Sequence, residues 1–326
     1  MAETIKIRDI EAKPGEKAYG FLKIAETAST EIKIPVAIVN GSESGPKLCL
    51  TGGVHCTEYE GIEAAIRTFQ DTNPAELKGA LVICPVINTP GFQHGTLYVN
   101  PLDGKNMNRV YPGKKDGTIS EMMIYVVFNE LIRLCDAHID LHGGEPVEDH
   151  GLYIIYCTDI GNKEVEERSK EMAMHYNCEI LNESKGHPGT SATEVSKIGI
   201  PSITPEAGAL ALYREKDIQF HYNGIKNIMK LMGMLPKEEP PAPPVANQKI
   251  CVGAPALRIN HGGIFHPYVA PDEWFKKGDV LAEIKDMFGN ILEQIIAPED
   301  GIVGLTFSKR VKTAGENAFL YLKLKE

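Results

Sequence analysis

This sequence predicts an α/β unit followed by a small all-β region, and three observations support that reading. Between residues 41 and 236, short apolar runs alternate with amphipathic stretches of helical period, the pattern of a sheet flanked by helices. A segment rich in proline and charge, Lys237-Glu238-Glu239-Pro240-Pro241-Ala242-Pro243-Pro244, then interrupts the pattern. Beyond it come short β-like runs separated by glycine turns, among them Gly262-Gly263-Ile264-Phe265, Gly278-Asp279-Val280-Leu281 and Phe288-Gly289-Asn290.

Residues 1–40 alternate apolar and polar stretches and read as an antiparallel lead-in packed on the catalytic domain. Within them, Ile32 to Val39 forms a strand that runs into Asn40-Gly41, a hairpin-like signal. Strands are then expected at 47–50, 80–87, 138–141, 152–157 and 202–205, and helices at 60–70, 120–134, 163–176, 191–197 and 217–234. The domains drawn from this are 1–40, the catalytic domain 41–236, a semi-rigid proline-rich linker 237–248, and a β domain 249–326. No long internal repeat is present.

A chain of 326 residues with 43% hydrophobic composition can bury a sizeable core without staples. Its seven cysteines are odd in number and scattered, and no C-x-x-C pair occurs among them, so reduced thiols and a cytoplasmic location are expected. The opening Met1-Ala2-Glu3-Thr4-Ile5-Lys6 lacks the apolar region of a signal peptide. No apolar run approaches the roughly 18 residues of a membrane span. A net charge of −10 argues against nucleic acid as a partner. The sequence is compatible with a homo-oligomer.

The chemistry is signalled by Leu48-Cys49-Leu50-Thr51-Gly52-Gly53-Val54-His55-Cys56-Thr57-Glu58, where an apolar strand runs into glycines and then presents a histidine and a glutamate three residues apart. Ile139-Asp140-Leu141-His142-Gly143-Gly144 repeats strand, histidine and glycine pair. Together they supply a His2Glu set of the kind that holds catalytic zinc with a fourth position left open. H-x-x-E alone occurs by chance, and an isolated histidine is more often a satisfied polar residue. Glycine pairs at the ends of both apolar runs favour the ligand reading, because they permit tight turns where open α/β sheets bind ligands. One zinc ion per chain is expected, on His55, Glu58 and His142.

Amide hydrolysis also needs a carboxylate near the metal to accept and pass on a proton. Glu206, at the end of the apolar run Ile200 to Pro205, is the candidate, against the alternative of a solvated loop glutamate. The turn-rich segment Asn100 to Gly113 surrounds Arg109. That guanidinium either grips a substrate carboxylate, with Asn108 adding neutral hydrogen bonds, or pins its own loop by bonding backbone carbonyls. Asp140, two residues before His142 on a strand, shares its face and is placed to orient it. His94, His138 and His150 sit near these motifs and either support the ligands or meet substrate, or, the favoured reading, are ordinary loop or strand-end residues.

Four ordered motifs resemble the succinylglutamate desuccinylase and aspartoacylase family of zinc-carboxypeptidase-like amidohydrolases: Gly52 to Glu58, Asp103 to Gly113, Asp140 to Gly144 and the Glu206 segment. The resemblance implies a zinc-carboxypeptidase-like mixed sheet flanked by helices. It also implies His55, Glu58 and His142 as ligands, Glu206 as general base and acid, and Asn108 with Arg109 as the carboxylate site. Relatives often carry arginine shortly before the Asn-Pro of the second motif, where Tyr98 stands here, so no oxyanion donor is assigned. Cys56 places a thiol between the ligands. The C-terminal region resembles the barrel-sandwich fold of biotinyl and lipoyl domains. It lacks their Met-Lys-Met signature around Lys285, so it is read as a structural or substrate-gating module from which His261, His266 or Tyr268 could reach toward the site.

The expected function is zinc-dependent deacylation of an N-acyl amino acid or related small carboxylate. A metallocarboxypeptidase acting on short or unusual peptides would use the same apparatus. A non-catalytic metal-binding scaffold is the alternative of another class.

Overall fold

The computed structural model describes residues 2–236 and 240–325; residues 237–239, the start of the expected linker, lie outside the described residues. In chain order the first elements are β1 (Ile5–Ile7), β2 (Ile10–Ala12), β3 (Glu16–Glu26), β4 (Glu31–Asn40), β5 (Glu43–Gly52), α1 (Tyr59–Asp71), β6 (Lys78–Cys84) and α2 (Thr89–His94). There follow α3 (Ile119–Val126), β7 (Ala137–Leu141), β8 (Glu148–His150), β9 (Tyr153–Cys157), α4 (Lys163–His175), β10 (Ile180–Ser184), α5 (Ser191–Lys197), β11 (Ser202–Glu206) and α6 (Glu215–Leu231). The C-terminal region is all strand: β12 (Lys249–Val252), β13 (Ala256–Arg258), β14 (Gly263–Pro267), β15 (Trp274–Phe275), β16 (Val280–Lys285), β17 (Ile291–Ile296), β18 (Gly301–Phe307), β19 (Val311–Lys312) and β20 (Asn317–Leu324).

One mixed sheet dominates, in the order β15-β18-β20-β12-β10-β9-β11-β7-β5-β6-β4-β3. Its centre is parallel from β6 through β5 and β7 to β11, β9 runs antiparallel to β11, and β10 and β12 follow β9. A second, four-stranded sheet of β17, β16, β14 and β19 closes the C-terminal core around Phe265, Leu281, Ile284, Val303 and Phe319. The expected α/β class with an all-β C-terminal region is therefore the observed one.

Side-chain alternation along the central strands decides where chemistry can sit. Leu48 and Leu50 of β5, Ile139 and Leu141 of β7, Ile154 and Tyr156 of β9, Leu181 of β10 and Ile203 of β11 all enter one core, which Met172 of α4 and Ile218, Ile225 and Ile228 of α6 cover. The opposite face carries Thr51, His138, Asp140, Ser202, Thr204 and Glu206, a polar stripe through a buried layer.

Two expectations are corrected. Asn40-Gly41 does not turn a hairpin. β4 and β5 are not neighbours, because β6 lies between them, antiparallel to β4 and parallel to β5. Asn40 instead donates from Nδ2 to the Glu3 and Ala12 carbonyls, tying down the N-terminal strands, and a Cβ on Gly41 would lie 2.2 Å from the Leu77 carbonyl oxygen. The helix expected over 120–134 starts in a capping box, with Glu121 accepting from the Thr118 backbone N–H. Its regular α geometry ends at Val126, and it widens to a π turn over Val127–Leu131 before tightening over Ile132–Leu134.

Candidate metal centre and its cavity

β5 and β7 run parallel in direct register, Thr51 opposite Asp140 and Gly52 opposite Leu141, so both histidine-bearing loops leave the sheet at the same end. Gly53 has φ of +57°, and a Cβ on Gly143 would lie 2.4 Å from the Ala207 carbonyl oxygen, so neither turn tolerates a side chain at these points. His55, Glu58 and His142 meet there, with one donor atom from each lying within 4.8 Å of the others. The Glu58 carboxylate faces both rings: Oε1 is 2.9 Å from His55 Nδ1 and Oε2 is 3.2 Å from His142 Nδ1. Oε2 is buried and has no hydrogen bond. A buried carboxylate oxygen without a hydrogen bond, beside two imidazole nitrogens, is the chemistry of a zinc site, and the residues fit that ion.

The far nitrogens of both rings are engaged. Asp140 Oδ2 lies 3.1 Å from His142 Nε2, and Asn106 Oδ1 lies 3.2 Å from His55 Nε2. Asp140 in turn accepts from Thr51 Oγ1 at 2.6 Å and from Ser191 Oγ. Thr51 leads on to His138, whose other ring nitrogen meets Ser202 Oγ at 2.9 Å. His138 is thus buried behind the centre, and burial pushes its pKa down to about 4. Asp140 stays well below the usual carboxylate range: burial works against its charge, and the His142 ring outweighs burial.

Glu206 closes the next strand over. A β-bridge links it to His142, and it is buried at 8% exposure, not solvated. Burial raises its pKa, against the pull of His150, whose Nδ1 is 3.6 Å from Oε2. His150 is carried by β8, which pairs with β18 of the C-terminal region. Glu145, on the same loop, accepts the Tyr98 backbone N–H with both oxygens, and burial pushes it up to about 7. Tyr98 itself donates its hydroxyl to Glu148 at 2.8 Å. Cys56 turns its thiol away from the centre to the Thr96 carbonyl, and burial raises its pKa to about 11.

The loop carrying Asn108 and Arg109 is tied to the loop before α5. Ser191 N–H donates to Asn108 Oδ1 at 2.9 Å, and Tyr111 N–H donates to the Gly189 carbonyl at 3.0 Å. Asn108 Nδ2 lies 3.4 Å from His142 Nε2. Arg109 is exposed; one of its N–H groups bonds the Asn108 carbonyl at 2.6 Å, which is the loop-pinning contact, and the residue also lines the cavity. That cavity holds about 300 Å³, and His55, His142, Asn108, Arg109 and Glu206 share its wall with Asn182, Thr204 and, from the C-terminal region, Gly253, Ala254 and Leu320.

His261, His266 and Tyr268 are not among the residues lining this cavity. His261 sits 3.5 Å from Glu293 and Tyr268 donates to Glu283, both within the C-terminal sheet, so these two take local roles in place of the reach toward the site that the sequence left open. His94 ends α2 and lines a separate surface groove. Sequence reasoning gave no role to Asn106, Ser191 or Glu145. Asn106 meets His55, Ser191 meets Asp140 and Glu145 meets Thr57 and Tyr98, all partners distant in sequence, and no local pattern marks them.

Residues 44–232 match the catalytic domain of the succinylglutamate desuccinylase/aspartoacylase family. The chain is 27% identical over 277 residues to N-alpha-acetyl-L-2,4-diaminobutyric acid deacetylase of Halomonas elongata, covering 82% of this chain and 80% of that one. Among solved structures it resembles a succinylglutamate desuccinylase/aspartoacylase from Rhodobacter sphaeroides, with TM-score 0.87, 22% identity and coverage of 99% of this chain and 98% of that chain. It also resembles the product-bound ectoine utilization protein EutE (DoeB) from Ruegeria pomeroyi, with TM-score 0.86, 21% identity and 99% of both chains covered.

Proposed function

We propose, from the premise that this chain belongs to the succinylglutamate desuccinylase/aspartoacylase family, that it is a zinc-dependent deacylase releasing the amine from N-acyl amino acids. Hydrolysis of an amide carbon–nitrogen bond is the chemistry of the family and of the deacetylase relative. His55, Glu58 and His142 would hold the ion, which when bound polarises the scissile carbonyl and makes a water acidic enough to attack near neutral pH.

The chain's own groups do the rest. Asp140 and Asn106 fix the two imidazoles through their far nitrogens, so that both Nδ1 atoms stay turned toward Glu58. Glu206 takes the proton of the attacking water and gives it to the leaving nitrogen, and its burial favours a carboxyl able to do both. Arg109 grips the substrate carboxylate with the N–H groups that its bond to the Asn108 carbonyl leaves free. Asn108, locked through Oδ1 by Ser191, presents its NH2 beside His142.

The observation that carries this reading is the placement of Glu206: a buried carboxylate bridged to a His2Glu cluster and lining the same cavity as Arg109. The zinc-loaded chain should release free amine from N-acetyl amino acids, followed by mass spectrometry, and elemental analysis should find one zinc per chain. Glu206→Gln should keep zinc and fold and lose on the order of a hundredfold or more in kcat. Full activity in that variant, or full zinc occupancy in His142→Ala, overturns the assignment.

A further inference from the structure

A general base works only from a fixed point, within about 2.6–3.2 Å of the proton it moves, and a misplacement of about 1 Å can cost on the order of a hundredfold in rate. The backbone of Glu206 is fixed by its strand, opposite Tyr153 of β9 and bridged to His142. Its carboxylate is another matter. Among the described residues its one ion-pair partner is His150, whose Nδ1 lies 3.6 Å from Oε2.

His150 is not among the residues lining the cavity, so it acts on the carboxylate and not on substrate. Its ring stands between two carboxylates, Glu206 at Nδ1 and Glu148 at Nε2, where Oε2 is 3.8 Å away. Glu148 is steadied in turn, because its Oε1 accepts the Tyr98 hydroxyl at 2.8 Å. The Tyr153 hydroxyl comes within 3.4 Å of the same Nδ1 that faces Glu206. A ring with a carboxylate at each nitrogen is set to donate from both, as only the imidazolium can. Burial works against that charge, and Glu206 and Glu148 outweigh burial, so the pKa of His150 is raised.

A purely structural ring would serve to fasten β8, yet the backbone already does so. His150 and Glu148 pair with Leu305 and Phe307 of β18, Asp149 is bridged to Ala209, and the Leu210 N–H donates to the Glu148 carbonyl at 2.6 Å. β8 is thus held between β18 and the loop that follows Glu206. Replacing a buried ion pair by apolar residues is often neutral or stabilising, so packing alone does not call for an imidazole here.

We propose that His150 is a positioning residue for Glu206: its Nδ1–H holds Oε2 and leaves Oε1 for the attacking water and the leaving nitrogen, while Glu148, steadied by Tyr98, holds the ring from behind. This rests on the deacylase reading above.

Two amide variants separate the roles of the two ring nitrogens. In His150→Asn the side-chain NH2 stands where Nδ1 stood, facing Glu206; in His150→Gln the amide reaches the place of Nε2, facing Glu148. With the zinc-loaded chain and the N-acetyl amino acid it cleaves fastest, kcat in His150→Asn should exceed that in His150→Gln by about tenfold, with KM alike within about twofold. In a Glu206→Gln background the two should be equal, because no base remains to be oriented. A ratio that persists there, or a glutamine variant as active as the asparagine one, overturns the inference. Crystal structures of parent and variants give a readout apart from activity: Glu206 Oε2 should keep its place in His150→Asn and leave it in His150→Gln. A carboxylate in the same place in both also overturns the inference. Where an amide variant does not fold, the parent and His150→Ala supply the same comparisons. A parent that hydrolyses no N-acetyl amino acid refutes the deacylase reading, while the place of the Glu206 carboxylate in the variants still decides the role of His150.

Discussion

The central strands and the C-terminal β region bury their polar groups by opposite means. In the centre, Thr51, His138, Asp140, His142 and Ser202 lie within buried layers, and each is partnered through a chain of side-chain hydrogen bonds. In the C-terminal region an apolar cluster fills the core, charged pairs such as Lys276 with Asp300 and Lys309 with Glu316 stay at the rim, and the buried Glu283 and Lys312 take separate local partners, Tyr268 with Gln294 and the Asn317 carbonyl. At the exposed turn of Met287 and Phe288, each 91% exposed, the hydrogen bonds are local ones to the Asp286 carboxylate. A buried polar group is stable only when partnered, so a row of them is costly to assemble and informative when found. The candidate metal centre sits in the first region, and the second supplies wall: Gly253, Ala254 and Leu320 bring no charge to the cavity, and β18 pairs with β8, which carries His150.

The sharpest way to break that contrast is to remove the hub of the central network. Asp140→Leu leaves Thr51, Ser191 and His142 without their shared acceptor. Thermal or denaturant unfolding should register a loss on the order of 3–5 kcal/mol, as for a buried charge partner deleted from one side. Zinc affinity, titrated against a chelator, should weaken about 10–100-fold, because His142 loses the group that orients it. A variant of parental stability and zinc affinity would mean that the row is decorative.

A gentler probe uses pH. His138 is neutral in the folded chain down to about 4, while its unfolded value is 6.5. Between those values the unfolded state binds the extra proton, so stability rises with pH through this window. Its contribution is intact above about 6.5 and is progressively lost as pH falls toward 4, by roughly 3 kcal/mol in all. Unfolding free energies measured from pH 7 to 4 should therefore fall more steeply in the parent than in His138→Gln. Parallel curves would show that the network tolerates a charged imidazole.

Much of this contrast was legible in the sequence because it follows periods of two and local turn chemistry. Ile139-Asp140-Leu141-His142 places its apolar residues on one face and its polar ones on the other, and Gly52-Gly53 and Gly143-Gly144 announce the tight exits that bring His55 and His142 together. The glycine spacing of residues 249–326 likewise gave the all-β character. What local pattern cannot carry is the choice of partner across the fold. Asn40-Gly41 has hairpin composition, yet β6 intrudes between the flanking strands, a consequence of long-range pairing. Ser191 reads as a helix start and becomes a support for Asp140 through a contact 51 residues away. Asn182 reads as one more strand residue, and only the assembled fold shows that it lines the cavity.

The smallest expected effect lies at the other pole of the comparison. Met287 and Phe288 form the tip between β16 and β17, held by Asp286, whose side chain accepts the Phe288 and Asn290 backbone N–H groups and the Asn290 amide. The turn is therefore built by Asp286, Gly289 and Asn290, with Gly289 at φ of +90°, and the two large side chains contribute little to holding it. Replacing both, in Met287→Ser with Phe288→Ser, removes apolar surface that faces solvent in the folded and unfolded chain alike, so the transfer term nearly cancels. Unfolding free energy should change by no more than about 0.5 kcal/mol, as for surface positions outside any network. Asp286→Ala, one residue away, should cost more, about 1 kcal/mol, because it strips the turn of its acceptor. If the double serine variant were the more damaging of the two, the tip would be making a contact that stabilises the chain, and the C-terminal region could no longer be described as wall alone.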